Sequence, residues 1–282
     1  MTRKLWIRTN TNKRKLLTGP YLVWAVGFII LPLLMILYYG LTNDSGSFTL
    51  DNLLAIADPI HAKALWESVL IALGSTLISL VIAYPLAYIL SNMGGNKSGT
   101  IIMLFMLPMW INFLLRIMAL QMILANTGIL NAILGFFGIG PLHIMYSKTA
   151  ILIGMVYEYL PFMILPIYNV MCKIDRNVID AARDLGADTK TVFMHVIMPL
   201  SLPGVLSGII MVFIPGISEF VIADILGGSK VLLIGNVIDQ EFSLTNNWHL
   251  GSGLSIVLMI FIFISMAIMN KYDKSGEGQM IW

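Results

Sequence analysis

The chain has 282 residues, of which 58% are hydrophobic and only 11% charged, with a net charge of +2. A water-soluble domain of this size carries roughly 25% charged residues, so there is too little polar surface here to coat a globule, and the main solvent must be lipid. The single cysteine, Cys172, excludes an internal disulfide framework, and no Cys/His cluster has metal-ligand spacing.

Crossing about 30 Å of hydrocarbon takes about 20 mostly apolar residues. Six stretches meet that need: about 17–41, 66–92, 100–125, 148–172, 200–226 and 250–270. The runs are continuous and do not alternate, and helices satisfy their own backbone groups in lipid, so the sequence predicts an all-α integral membrane protein with six transmembrane helices. The first run is too long for a signal core, and "YYGLTND" after it offers no Ala-x-Ala site, so it is read as a retained span. Between the third and fourth runs, 126–147 is apolar but broken by Gly128, Gly135, Gly138, Gly140 and Pro141, and reads as a re-entrant or interfacial loop.

Charge sets the orientation. If the N-terminus is cytoplasmic, thirteen of the seventeen Lys and Arg lie inside, including six before the first span. Three lie outside (Lys63, Lys148, Lys230) and Arg116 sits within a span. This bias predicts that both termini are cytoplasmic. The organisation is then a cytoplasmic segment 1–16, a membrane domain 17–271 that includes a cytoplasmic loop 173–199, and a cytoplasmic tail 272–282. No internal repeat of the kind found in secondary carriers is evident.

The loop is where the chain interrupts its apolar character. Lys173 to Lys190 holds eight charges, among which Val178, Ala182, Leu185, Thr189 and Val192 recur at the helical face period. The stretch predicts a short amphipathic helix capped by Asp175, a bend at Gly186, and a second turn of helix capped by Asp188. Pro199 and Pro203 then mark the start of the fifth span. Periodicity alone fits a helix lying on lipid as well as one that docks on protein.

The residue pattern favours docking. Asp180-Ala181-Ala182, three residues, Gly186, nine residues, then Val196-Ile197-Met198-Pro199 resembles the Glu-Ala-Ala…Gly…Ile-x-Leu-Pro loop of ABC-importer permeases, with Asp for Glu, Val for Ile and Met for Leu. "PMWINFLLRI" (108–117), "YLPFMILPIY" (159–168) and "IADILGGSKVLLIGNVI" (222–238) are similar to the spermidine/putrescine branch of that family, the PotB type. The resemblance implies a type I, MetI-like permease in a bacterial cytoplasmic membrane. It also implies that Asp180, Ala181, Ala182, Arg183, Asp184, Gly186 and Pro199 couple to an ATPase. Implied partners are a second permease (PotC-like), an ATPase homodimer (PotA-like), an extracytoplasmic polyamine-binding protein (PotD-like) and membrane lipid, with no nucleic acid.

No nucleotide or hydrolase motif occurs in the chain: "GGNKSG" (94–99) has the wrong spacing for a phosphate loop. The chain is therefore expected to be no enzyme and to bind no cofactor or metal, with ATP and Mg used by a partner. The four histidines read as solvated side chains in loops or flanks.

Arg116, Glu158, Glu219 and Asp224 fall inside predicted spans, where each charge must face protein or water. Arg116 either pairs with one carboxylate to join helices or serves the path. Three carboxylates against one arginine leave an acidic surplus suited to a polycation. Glu158 is placed in the outer third of the fourth span, with Glu219 and Asp224 toward the outer end of the fifth. Asp224 reads equally as an interfacial cap. Trp110 offers a ring face to an ammonium or simply packs. Prolines inside spans (Pro32, Pro85, Pro108, Pro161, Pro166, Pro215) permit kinks without identifying a gate. The function expected is a polyamine-importer permease; another cargo (iron, an oxyanion, a sugar-like solute), a self-sufficient carrier and a membrane enzyme are the competing classes.

Overall fold

The computed structural model describes residues 19–93 and 95–272, so the cationic segment 1–16, Lys274 and the tail past Tyr272 lie outside the described residues. Apart from one two-residue bridge, Thr42 with Phe48, the regular structure of the described residues is helical. The helices used below are α1 (Gly19–Gly40), α2 (Pro59–Asn92), α3 (Gly95–Met106), α4 (Phe113–Leu124), α5 (Ile129–Phe136), α6 (Lys148–Met171), α7 (Arg176–Asp184), α8 (Thr189–Ile217), α9 (Ile234–Ser243) and α10 (Trp248–Tyr272). Among the described residues, six stretches are long and apolar enough to cross a membrane: Gly19–Gly40, Pro59–Asn92, Phe113–Phe136, Lys148–Met171, Thr189–Ile217 and Trp248–Met269.

The chain forms two compact units, residues 19–58 with 240–259, and residues 59–239 with 260–272. In the first, the last turn of α1 meets α10 without side-chain bulk. A Cβ on Gly40 would lie 3.1 Å from the Ser252 backbone, and His249 Nδ1 sits 2.9 Å from the Tyr39 carbonyl. His249 is also 3.5 Å from Asp44 and only 19% exposed, so this histidine is a packed, paired group and not the solvated one that its flanking position suggested.

The second unit is built around α2, α6 and α8. α2 buries a row of small residues: Ser68, Ala72, Ser75, Thr76, Ser79, Ala83 and Ala87. Such rows let helix backbones approach closely where lipid supplies no hydrophobic drive. α8 does the same with glycines. Gly208 faces Met163, Gly216 faces Met155 and Ala72, and a Cβ on Gly204 would stand 2.8 Å from the Pro166 carbonyl oxygen.

Contacts fix which way each helix runs. Glu67 meets Lys148, and Gly74 meets Leu152, so α2 and α6 are parallel; the Gly204–Pro166, Gly208–Met163 and Gly216–Met155 contacts make α8 antiparallel to them. Ser98 reaches Tyr168 near the C-terminal end of α6, Arg116 reaches Glu158 at its middle, and Gln121 bonds the Ile225 carbonyl near its start. The third crossing is therefore α3 plus α4, and α5 follows it at the opposite end from the charged loop. This crossing is not the continuous helix expected over 100–125. A 3₁₀ turn at Leu107–Trp110 breaks it, and Asn112 caps α4 by accepting from Leu114 N (2.9 Å) and Leu115 N (3.4 Å). Over 126–147 the chain forms α5 and an irregular return, tied by Asn131, whose amide donates to the Ala125, Asn126 and Leu142 carbonyls and accepts from Leu142 N.

Two prolines share one device. Pro32 follows the π-turn Val26–Ile30, and Pro199 follows the π-turn Phe193–Ile197, with Leu31 N donating to Val26 O and Met198 N to Phe193 O. A helical proline clashes with the carbonyl four residues back, which is Phe28 or His195 here, and the widened turn relieves it. α8 accordingly runs unbroken from Thr189 past Pro199 and Pro203, earlier than the start expected at residue 200. It also ends earlier, at Ile217 instead of 226.

Replacing Gly204 by Val is expected to destabilise the protein by about 1–3 kcal/mol, because the new atoms meet backbone that cannot rotate away. Exposed Ser207→Val, on the same helix, is the control. Thermal unfolding followed by fluorescence size-exclusion in detergent checks this: a lower midpoint for Gly204→Val only is the expected outcome.

Candidate functional site

The charged loop folds as its residues dictate. Asp175 caps α7 by accepting from Asn177 N at 2.9 Å. At the other end Ala187 N donates to Ala182 O and Gly186 N to Arg183 O, while Gly186 takes φ +86°. This is the paired-bond helix stop that requires a left-handed residue, for which glycine is the unstrained choice. Asp188 accepts from Thr191 N at 3.0 Å and starts the next helix. Bonding to Thr191 holds the Asp188 carboxyl below the usual carboxylate range, so the cap stays charged at neutral pH.

The bent helix presents its side chains outward. Asp180, Ala181, Arg183 and Asp184 are exposed, Ala182 is half-buried, and Arg183 lies 3.8 Å from Asp180. Of the apolar face expected over 178–192 only Val192 is buried; Leu185 is 89% exposed. Among the described residues this apolar knob, flanked by charge, covers nothing.

Behind the loop a second feature escaped the sequence reading. Phe193, in the π-turn, sets its ring edge-on to Tyr84 and Tyr88 of α2, with centroids 5.9 and 5.2 Å away, and the Tyr84 hydroxyl lies 2.8 Å from Ser201 Oγ. The four-residue spacing of the tyrosines places them on one face of α2, which was legible; their partner in the loop was not.

The intramembrane charges separate into two groups. Arg116 and Glu158 form an ion pair at 2.5 Å with side chains 9% and 7% exposed. Among the described residues, Arg116 Nε and Glu158 Oε2 find no partner. Glu158 is the eleventh of the 24 residues of α6, so it stands at mid-helix and not in the outer third. Tyr159, its neighbour, donates to Glu219 Oε2 at 2.6 Å, and Glu219 Oε1 accepts from Ile222 N. Glu219 is thus buried beyond the end of α8, where it caps the short helical turn that follows.

Asp224 is exposed, lies in the π-turn Ala223–Gly227 and accepts from Asn236 Nδ2 at 2.6 Å. Trp110 is 78% exposed on the 3₁₀ turn, apart from the buried Arg116–Glu158 and Tyr159–Glu219 contacts. Of the four residues assigned to a cargo path, two are buried inside this chain and two face outward.

The described residues thus form a helical membrane chain with an exposed, charged, bent helix between two of its crossings. Residues 83–275 match the model of the family described as "Binding-protein-dependent transport system inner membrane component". The chain is 38% identical over 273 residues to the spermidine/putrescine transport system permease protein PotB of Haemophilus influenzae, covering 94% of this chain and 96% of that one. Its fold is similar to a chain of a bacterial ABC transporter involved in import of the acidic polysaccharide alginate, at TM-score 0.77 and 11% identity, covering 98% of this chain and 100% of that one. It also resembles a chain of the MetNI methionine ABC transporter, at TM-score 0.55 and 14% identity, covering 76% and 94% respectively. The chain belongs to the family of binding-protein-dependent inner-membrane transport components: it is a multi-pass permease subunit of an ABC importer.

Arg116→Met is expected to cost about 3–5 kcal/mol, because Glu158 is left charged and buried, while the double variant Arg116→Met/Glu158→Leu recovers most of that. Midpoints of thermal unfolding for the two single variants and the double complete the cycle. An additive double variant would mean that the pair does not join α4 to α6.

Proposed function

We propose that this chain forms half of the cargo path of a polyamine importer, with the 173–199 loop and both termini on the cytoplasmic side. The observation that carries the cargo class is the 38% identity, over nearly the whole of both chains, to a spermidine/putrescine permease. The lysine and arginine bias supports the orientation. A second permease completes the path, an ATPase dimer binds beneath and uses ATP with Mg, and an extracytoplasmic binding protein delivers cargo.

The loop acts as the lever. Leu185 and the exposed charges of α7 seat in the ATPase, Gly186 and the Asp188 cap fix the bend, and α8 carries the displacement through the membrane without a break. Phe193, wedged against Tyr84 and Tyr88, passes the movement to α2. Coupling requires that the ATPase hold the loop differently in its two states, since equal affinity shifts nothing.

Cargo meets the outward residues. Asp224 supplies a carboxylate at the end remote from the loop, and Trp110 a ring face worth about 0.5–2 kcal/mol to an ammonium. Glu158 serves as the partner of Arg116, and Glu219 braces Asp224's turn from behind.

The test is uptake of labelled spermidine by vesicles carrying the assembled complex, ATP inside and loaded binding protein outside. Ala182→Trp and Gly186→Val are each expected to cut uptake by about tenfold or more, within the range of a lost coupling energy, with normal membrane insertion. Unlabelled spermidine or putrescine should compete. Uptake that persists in both variants, or competition by ferric iron or sulfate instead, contradicts the proposal.

A further inference from the structure

At the end of the second unit remote from the loop lies a cavity of about 480 Å³, formed by the first turns of α2, the start of α6 and the turn at 228–232. Its charged lining is Lys63, Glu67, Lys148 and Lys230. These three lysines are the whole set that the charge bias left outside, and they come from three separate elements to one place.

Two of the three lysines have defined contacts. Lys148 Nζ bonds Glu67 Oε1 at 2.6 Å, while Glu67 Oε2 is buried without a partner among the described residues. Lys230 Nζ stands 6.0 Å over the ring of Tyr146. Tyr146 is fixed in turn, with φ 58° and its N–H donating to the Leu226 carbonyl at 2.9 Å. Gly228, at φ +56°, makes room for that ring, because a Cβ there would lie 2.7 Å from it. Within the lining, three ammonium groups face one carboxylate, and Lys148 already holds it.

A pocket with this field repels a polyamine, so it is no seat for cargo. It suits a carboxylate. The family is defined by dependence on a binding protein, and on the orientation proposed above this is the face that such a protein reaches. We propose that the Lys63–Lys148–Lys230 pocket receives acidic side chains of the cargo-loaded binding protein, seating it beside the path while the like charge steers the released polycation toward Asp224. This rests on the importer reading. Opposed charge at such a contact acts on association and its salt dependence.

The experiment measures ATPase activity of the assembled complex in phosphatidylcholine nanodiscs, titrated with the cognate binding protein loaded with spermidine. For Lys63→Glu/Lys230→Glu the binding-protein concentration giving half-maximal stimulation should rise about tenfold, equivalent to about 1.4 kcal/mol, with the maximal rate kept within about twofold. The shift should shrink as salt is raised, and Lys63→Arg/Lys230→Arg should restore the original value. An unchanged half-maximal concentration overturns the proposal. So does a shift that appears only when anionic lipid is present, which would make a headgroup the occupant. If the unmodified complex gains no activity from loaded binding protein, the importer reading itself falls, and not the assignment of its docking face alone.

Discussion

Backbone contact between α8 and α6 is the constraint on which the second unit depends. Lipid is as apolar as the helix surface, so association has to come from close packing and from polar groups that have no other partner. Gly204, Gly208 and Gly216 provide the first, letting α8 lie against Pro166, Met163 and Met155. The buried row Ser68, Ala72, Ser75 and Ser79 lets α2 into the same seam. Such close packing is what the lever proposed for the loop at the start of α8 requires.

The polar groups in the bundle then have distinct tasks set by their surroundings. Arg116 and Glu158 neutralise each other between the third crossing and α6, and Tyr159 reaches across to Glu219 beyond the end of α8. These contacts tie neighbouring elements at mid-depth and toward the far end. Asp224 keeps its carboxylate exposed, with Asn236 as its hydrogen-bond donor. Burial therefore divides the acids: Glu158 and Glu219 join elements inside the chain, and Asp224 is the one left exposed, as the proposed path requires. The basic cavity lined by Lys63, Lys148 and Lys230 lies at the end of the unit remote from the loop.

Much of this was legible in the residues. Continuous apolar runs give the six crossings, and the Asp175, Gly186 and Asp188 punctuation gives the bent helix almost residue by residue, because caps and left-handed stops are local chemistry. What was missed depends on partners distant in sequence or on competition between local options. Pro85 stays inside a continuous helix, yet Pro108 lies where one ends, with Asn112 four residues on to cap a new start. Apolar residues resume at Phe220 after Ser218 and Glu219, so hydropathy alone did not reveal that α8 stops at Ile217 and that Glu219 turns inward. Lys63, Lys148 and Lys230 are too far apart in the chain for any pattern to unite them; only the parallel run of α2 and α6 does.

On the coupling proposed for the loop, transmission to the membrane runs through three joints in series: the Gly186 stop, the π-turn before Pro199, and the ring contacts of Phe193 with Tyr84 and Tyr88. The first is set by the left-handed φ of Gly186, the second by the widened turn ahead of Pro199 and the third by edge-on rings, while Leu185 stays 89% exposed. The most direct measurement is a spin-label distance from Leu185→Cys to a site on the ATPase subunit in the assembled complex, with and without ATP. The account expects one short, narrow distance that lengthens or shortens as α8 is displaced on nucleotide binding. A broad distribution insensitive to ATP, or a label in contact with lipid alone, would contradict it.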